Sequence, residues 1–220
     1  ITVDPGRRII RDGAVAIDKG LIVAVGKSAE IAKGYTAKKT VDGRNTVATP
    51  GFIDCHLHSS FQLSRGLADE ANAQSFLFDR MYPYEAALDG DDVRVSATLA
   101  ATELLKHGVT CFVDPGNYHP EASIEGVMST GIRMVVSRSS FDLTKSVLGL
   151  LPERMIENTA TALERAEAVL EKYARSGNPR LTASASFRGL NNASDELISG
   201  LDRLAKRYDT LLQTHACFSY

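Results

Sequence analysis

From position 50 onward the chain alternates between β-strand patterns and α-helix patterns. Short apolar runs are followed by apolar stripes with helical spacing, and glycine or proline separates them. Strands that alternate with helices form a parallel sheet covered by those helices, either a closed barrel or a doubly wound sheet. The five predicted strands are 52–58, 109–114, 132–137, 181–187 and 210–215.

The helices between these strands are predicted from caps and apolar stripes. Asp91 is the expected N-cap of a helix that Gly108 ends, and Pro152 is the expected first residue of a later helix. Ser194 or Asp195 is expected to cap the last helix. The predicted helices are 91–107, 123–129, 152–175 and the segment that follows 194.

Two features favour the barrel. No Gly-x-Gly-x-x-Gly follows the first strand, and polar residues cluster at the carboxyl ends of several strands, where (β/α)8 barrels build their active sites. A complete barrel takes about 250 residues, so 50–220 is predicted to form only the first five β/α units, and we expect the chain to be a fragment. The strand-end residues are His56, His58, Asp114, Ser137, Arg188 and His215.

The first 49 residues predict a separate domain. Asp18-Lys19-Gly20 between two alternating runs predicts a hairpin. Because such a small set of strands is marginal alone, we interpret 1–49 as part of a small β-sandwich and 50–220 as the barrel domain. The strands predicted there are 1–3, 14–17, 21–25 and 46–48.

Composition restricts the class of protein. Hydrophobic residues make up 44% and charged residues 24%, and 25 Lys+Arg against 27 Asp+Glu give a net charge of −2. These values are typical of a globular enzyme and show no bias toward a nucleic-acid partner. The apolar runs are too short to predict a membrane span, and a homo-oligomer is left open. An odd number of cysteines, in apolar strand-like segments, predicts reduced buried thiols and a cytoplasmic location. They are Cys55, Cys111 and Cys217.

The most specific pattern is His56-Leu57-His58. In an extended strand both imidazoles lie on one face, so both can reach a single metal ion. His215, at the end of the fifth strand, is the candidate third ligand. Three neutral imidazoles with a vacant position are typical of a catalytic metal site. The alternative is a pair of ordinary strand histidines, one of them buried and hydrogen-bonded.

The stretch Pro50-Gly51-Phe52-Ile53-Asp54-Cys55-His56-Leu57-His58 resembles the opening metal motif of the amidohydrolase superfamily. The continuation is similar to its aminohydrolase branch, which includes guanine deaminase, S-adenosylhomocysteine deaminase and triazine hydrolases. Supporting stretches are 62–66, 82–85 and 103–114.

The resemblance implies one divalent ion, Zn²⁺ or Fe²⁺, bound by His56, His58 and His215. It also implies a histidine near the end of strand six and an aspartate after strand eight, both beyond residue 220. The ion would lower the pKa of its water and the aspartate would accept the proton, so that hydroxide attacks the substrate. The function implied is deaminase-like hydrolysis of a C–N or C–halogen bond in a nitrogen heterocycle, that is, in a small-molecule substrate.

One position departs from the family pattern. Deaminases of this branch carry His-x-x-Glu on strand five, and here Phe218 stands where that proton-donating glutamate is expected. Either another residue supplies the proton or the enzyme hydrolyses an amide or cyclic amide. A third possibility, of another class, is a non-catalytic barrel scaffold. The absence of lysine between Lys172 and Lys206 favours one metal over two bridged by a carbamylated lysine.

Four residues are predicted to bind substrate. The resemblance implies that Gln62 and Arg65, in the loop after the first strand, contact a substrate carbonyl or carboxylate. Arg188 follows the fourth strand, and His119 precedes Pro120 in a loop at the same face. For each, a solvated loop or packing role is the alternative.

Overall fold

This computed structural model describes residues 1–143, 145–146 and 149–216. The chain divides into two compact units, Ile1–Gly51 and Phe52–Tyr220.

The first unit is a β-hairpin followed by a short helix. Lys19 and Gly20 have φ angles of 48° and 80°, as a tight hairpin turn requires, and the hairpin prediction is confirmed. The strands predicted at 1–3 and 46–48 are wrong: the Ile1 amine donates to the Ala48 carbonyl at 3.0 Å, but neither segment is a β-strand. The elements are β1 (Gly13–Asp18), β2 (Leu21–Lys27) and α1 (Ser28–Gly34).

The second unit contains parallel strands and the helices between them. Two short antiparallel segments, β6 (Lys145–Ser146) and β7 (Gly149–Leu150), lie outside the parallel sheets. The parallel strands are β3 (Phe52–Asp54), β4 (Val109–Val113), β5 (Arg133–Val136), β8 (Leu181–Ala183), β9 (Ala185–Gly189) and β10 (Leu212–His215). The α-helices are α2 (Tyr82–Ala87), α3 (Gly90–Lys106), α4 (Pro120–Thr130), α5 (Thr159–Tyr173) and α6 (Asp195–Tyr208).

The strands pair in chain order. One parallel sheet has the order β3-β4-β5-β8, and β9 pairs in parallel with β10. The predicted strand 181–187 is therefore two strands that share one run of chain. Ser184 donates to the Val136 carbonyl of β5, and the next residue, Ala185, donates to Leu211 before β10. The chain therefore pairs with β5 through β8 and with β10 through β9, so that this one run of residues lies between β5 and β10.

The first predicted strand ends earlier than expected. Hydrogen bonding of β3 stops at Asp54, whose carboxylate accepts the His56 N–H at 3.1 Å and turns the chain. Leu57 then donates to the Val113 carbonyl at 3.0 Å, which brings the chain back alongside β4. His56 and His58 therefore lie just after the strand, at its carboxyl end.

Two predicted helix starts are wrong. Asp89, not Asp91, caps α3, in a reciprocal capping box with Asp92. Pro152 precedes a separate 3₁₀ turn, Glu153–Met155, and α5 begins only after Asn158, whose side chain accepts the Thr161 N–H. The turn is separate from the helix because it buries Met155 against Tyr82 and Phe141.

The core of the second unit lies between the parallel strands and their helices. Helices α3, α4, α5 and α6 each bury an apolar face against it. A second, smaller cluster lies beyond the carboxyl ends of the strands. Its buried members are Tyr82, Phe141, Leu151 and Met155.

The cysteines only partly match the expectation of buried thiols. Cys55 is exposed and Cys111 is half-buried, and both are free thiols; Cys217 lies outside the described residues. None of the helices in the described part of the chain combines the length and the apolar character that crossing a membrane requires.

Helices α3 and α4 approach closely at Gly126. A Cβ there would lie 2.4 Å from the Arg94 carbonyl oxygen and 2.8 Å from the Thr98 hydroxyl. We expect Gly126→Ala to lower the free energy of unfolding by about 1–3 kcal/mol, because the helices must separate. Urea denaturation of the full-length protein measures this change.

Gly90→Ala is the matched control. Its added Cβ would meet only the Ala122 methyl, at 3.8 Å, which is ordinary contact. We expect a change within about 0.5 kcal/mol. Equal losses for both variants would contradict the close-approach explanation.

Candidate metal centre

Three histidines converge at the carboxyl ends of the parallel strands. His56 and His58 follow β3, and His215 is the last residue of β10. One ring nitrogen from each lies within 4.8 Å of the other two. The structure therefore brings together the three residues that the sequence singles out as metal ligands.

Backbone carbonyls orient two of the rings. The Nδ1 atom of His58 lies 3.3 Å from the Gly116 carbonyl oxygen, and that of His215 lies 2.6 Å from the Arg188 carbonyl oxygen. A carbonyl can only accept, so each Nδ1 must carry the hydrogen. The Nε2 atoms are then unprotonated and face each other at 3.0 Å.

The surroundings keep these imidazoles neutral. Burial lowers the pKa of His58 well below its ordinary value of 6.5, and the Arg188 guanidinium and His215 lower it further. The pKa of His215 falls to about 4, first because of burial and then because of Arg188. A neutral imidazole is the form that binds a metal.

The donor set fits a divalent cation. Two unprotonated Nε2 atoms that face each other present lone pairs to the same small volume, an arrangement that a cation between them stabilises. Around a tetrahedral zinc with bonds of 2.0–2.1 Å, two ligand nitrogens are about 3.3 Å apart. The 3.0 Å between His58 and His215 is close to that spacing. Nδ1–H donated to a carbonyl is the usual outer contact of a metal-binding histidine.

The turn at Asp114–Gly116, after β4, connects the surrounding loops. The buried Asp114 carboxylate accepts from the Ser59 hydroxyl at 2.5 Å, the Ser59 N–H at 3.3 Å and the Gly116 N–H at 2.8 Å. Burial raises the pKa of Asp114, while these hydrogen bonds oppose the rise. Since Ser59 follows His58 directly, the carboxylate anchors the chain next to a candidate ligand.

A buried ion pair lies beside the histidines. The Arg188 guanidinium binds the Glu85 carboxylate, and the two side chains are 5% and 2% exposed. Burial raises the pKa of Glu85, an effect that Arg188 opposes. Arg188 also donates to the Ser139 hydroxyl at 3.2 Å and to the Gly116 carbonyl at 3.5 Å. Among the four predicted substrate-binding residues, it is the one with a hydrogen bond to the histidine cluster in the described part of the chain.

The other three predicted substrate-binding residues, Gln62, Arg65 and His119, form hydrogen bonds with residues outside the histidine cluster. Arg65 is exposed and pairs with Glu103 of α3, and it donates to the Gln62 side chain at 2.9 Å. His119 precedes α4 and bonds the Leu88 carbonyl at 3.2 Å. Substrate binding by all four stays a prediction. Phe218 lies outside the described residues.

Two residues that support the histidine cluster, Glu85 and Ser59, were not predicted from the sequence. Glu85 lies in a stretch that supports the family resemblance, but its pairing with Arg188 joins residues 103 positions apart. Ser59 follows the histidine motif directly, and its bond to Asp114 spans 55 positions. Neither pairing has a local sequence signal.

Solved structures share this fold. A triazine hydrolase from Arthrobacter aurescens matches 98% of this chain and 50% of its own, with 26% identity and a TM-score of 0.84. Guanine deaminase from C. acetobutylicum, solved with guanine bound, matches 94% and 48% with a TM-score of 0.79; at 24% identity it supports the fold alone. These are amidohydrolases with (β/α)8 barrels, and the predicted fold class is confirmed.

The chain belongs to the amidohydrolase family, whose model matches residues 47–219. The predicted resemblance is therefore confirmed. A zinc complex of atrazine chlorohydrolase from Arthrobacter aurescens TC1 is 26% identical, with a TM-score of 0.81, over 98% of this chain and 50% of that one.

Curated relatives match nearly the whole chain. The 5-methylthioadenosine/S-adenosylhomocysteine deaminase of Syntrophobacter fumaroxidans is 30% identical over 98% of this chain and 47% of its own length. The protein of the same name in Lawsonia intracellularis is 28% identical over 98% and 46%. The chain spans about half the length of these relatives.

Asp114→Ala tests the anchoring role of the Asp114–Gly116 turn. The substitution leaves the Ser59 and Gly116 donors without their carboxylate acceptor. Because unsatisfied buried donors cost about 1–3 kcal/mol, we expect at least that loss in the free energy of unfolding by urea denaturation.

Asp202→Ala serves as the control, since Asp202 pairs with Lys206 on the surface of α6. We expect a loss of at most about 0.5 kcal/mol there. A loss at Asp114 no larger than this would rule out the anchoring role.

Proposed function

We propose that the protein is a metal-dependent hydrolase that cleaves a carbon–nitrogen bond in a nitrogen heterocycle, as a deaminase does. The convergence of His56, His58 and His215 is the observation that supports it most directly. Membership of a metal-dependent family points the same way. The first 49 residues would contribute part of a small β-sandwich and 50–220 the catalytic barrel.

The bound ion is proposed to be zinc. Neutral imidazoles suit Zn²⁺ and Fe²⁺ alike, and the zinc complex of the similar atrazine chlorohydrolase favours zinc. A divalent ion there would supply Lewis acidity that lowers the pKa of a coordinated water. By resemblance to the family, an aspartate and a further histidine would also belong to the site.

Residues of this chain prepare the site for that chemistry. The Gly116 and Arg188 carbonyls hold the Nδ1 protons of His58 and His215, which leaves both Nε2 atoms available. Phe61 stacks on the His58 ring with 4.9 Å between centroids and excludes water from that face. Because the pKa of His215 is low, a proton does not compete with the metal ion for its Nε2 atom at neutral pH.

We infer the class of substrate from the names of the similar proteins. Their names refer to purine nucleosides, guanine and triazines, which are all nitrogen heterocycles. We propose a small substrate of this kind, with Gln62, Arg65 and His119 as predicted contacts. A cytoplasmic location, and self-association into a homo-oligomer, belong to the same proposal.

Metal analysis tests the site directly. We expect the full-length protein to hold one divalent ion per chain, measured by elemental analysis. His58→Ala and His215→Ala should each weaken zinc binding by more than about 100-fold, because changes to outer contacts alone cost about 10–100-fold.

His107→Ala is the matched control. His107 ends α3 and bonds the Glu103 carbonyl at 2.8 Å, away from the three histidines. It should bind zinc as the unchanged protein does. Full-length protein without stoichiometric metal would refute the proposed function.

Ammonia release tests the reaction. We expect the full-length protein to release ammonia from at least one member of a panel of purines, pterins, pyrimidines and triazines. Removal of the metal with a chelator should abolish the release, and added Zn²⁺ should restore it. Hydrolysis of amides alone would instead support the amide hydrolase alternative that Phe218 raises.

A further inference from the structure

Arg188 takes part in the hydrogen bonds that orient two of the three histidines, His58 and His215. Its backbone carbonyl accepts the Nδ1–H of His215 at 2.6 Å. Its guanidinium donates at 3.5 Å to the Gly116 carbonyl, which accepts the Nδ1–H of His58 at 3.3 Å. One residue therefore takes part in orienting both rings.

A second route connects the guanidinium to His58. The central carbon of the Arg188 guanidinium lies 5.5 Å from the centre of the Phe61 ring. Phe61 in turn stacks on His58, with centroids 4.9 Å apart and an angle of 20° between the planes. A planar guanidinium can contact an aromatic face and hold hydrogen-bond acceptors at the same time.

The environment of Arg188 favours a positioning role over the substrate contact predicted from the sequence. Its side chain is 5% exposed, and Glu85, Ser139 and Gly116 take up its donors. The guanidinium also lies 5.7 Å and 5.9 Å from the ring centres of Tyr82 and Phe141. A substrate would have to displace these contacts to reach it.

Glu85 supplies the opposite charge. An arginine buried near a cation site would repel the cation if it were unpaired. The Glu85 carboxylate, 2% exposed and bound to the guanidinium, offsets this charge. The pair therefore provides the geometry of a guanidinium without a net positive charge.

We propose that the Arg188–Glu85 ion pair positions His58 and His215 so that both Nε2 atoms face one metal ion. This role rests on the proposed function. Arg188 acts through hydrogen bonds and ring contact, and Glu85 acts by fixing and neutralising Arg188.

The test uses the full-length protein with zinc and with Co²⁺. Competition with a chelator measures zinc affinity, and the visible spectrum of the Co²⁺ protein reports coordination geometry. We expect Arg188→Met to weaken zinc binding by about 10–100-fold, as loss of an outer contact does, and to change the Co²⁺ spectrum. Glu85→Gln should also weaken binding, because it leaves the guanidinium charge beside the ion.

Glu157→Gln is the matched control for Glu85→Gln. Glu157 pairs with Arg138, and these side chains are 7% and 6% exposed. In the described part of the chain its carboxylate binds Arg138 and Arg165 and none of the three histidines. This variant should lose thermal stability as Glu85→Gln does, yet keep the zinc affinity and the Co²⁺ spectrum.

Arg188→Lys covers the case in which Arg188→Met does not fold. Lysine keeps the charge against Glu85 but lacks the planar fork, so weakened zinc binding with a normal melting temperature is expected. Unchanged affinity and spectrum in the Arg188 and Glu85 variants would overturn the positioning role alone. So would equal weakening by Glu157→Gln. Absence of metal from the unchanged protein would overturn the proposed function as well.

Discussion

The turn at Asp114–Gly116 is the constraint on which the histidine cluster depends. The Asp114 carboxylate anchors the chain beside His58, and the Gly116 carbonyl accepts from both His58 and Arg188. Gly116 has a φ of 108°, and a Cβ there would lie 2.4 Å from the Ser139 backbone nitrogen. Only glycine allows the turn to lie this close to the neighbouring loop. The orientation of an imidazole is thus determined by a backbone conformation elsewhere in the chain.

Buried charge at this face is arranged in pairs. Arg188 with Glu85, and Arg138 with Glu157, lie on an aromatic cluster that includes Tyr118, whose ring is 5.4 Å from the Arg138 guanidinium. Buried ion pairs add little net stability, because desolvation offsets their attraction. Their value here is geometric, since each planar guanidinium holds several acceptors in fixed directions. A metal site benefits from such rigidity because its ligands must be held close together before the ion binds.

Features of the fold that depend on residues close together in the sequence were predicted correctly. The hairpin at Asp18-Lys19-Gly20 and the alternation of strands and helices have short-range signals. The start of α5 does not: Pro152 is a good first residue of a helix, but burial of Met155 and the pairing of Glu157 produce a separate turn. The division of the strand at Ser184 likewise depends on which neighbour each half contacts. Tertiary contacts decide both cases.

The histidine cluster was predictable for a reason independent of the exact strand boundary. The carboxyl ends of all strands in a parallel barrel lie at one face, so His56 and His58 after β3 can meet His215 at the end of β10 although β3 ends at Asp54. The contacts that orient the rings join residues 27, 58 and 72 positions apart. Their partners are mostly backbone carbonyls, which every residue possesses, so residue identity carries no signal for them. Sequence therefore indicates which side chains meet, while the direction in which their nitrogens point follows from the folded backbone.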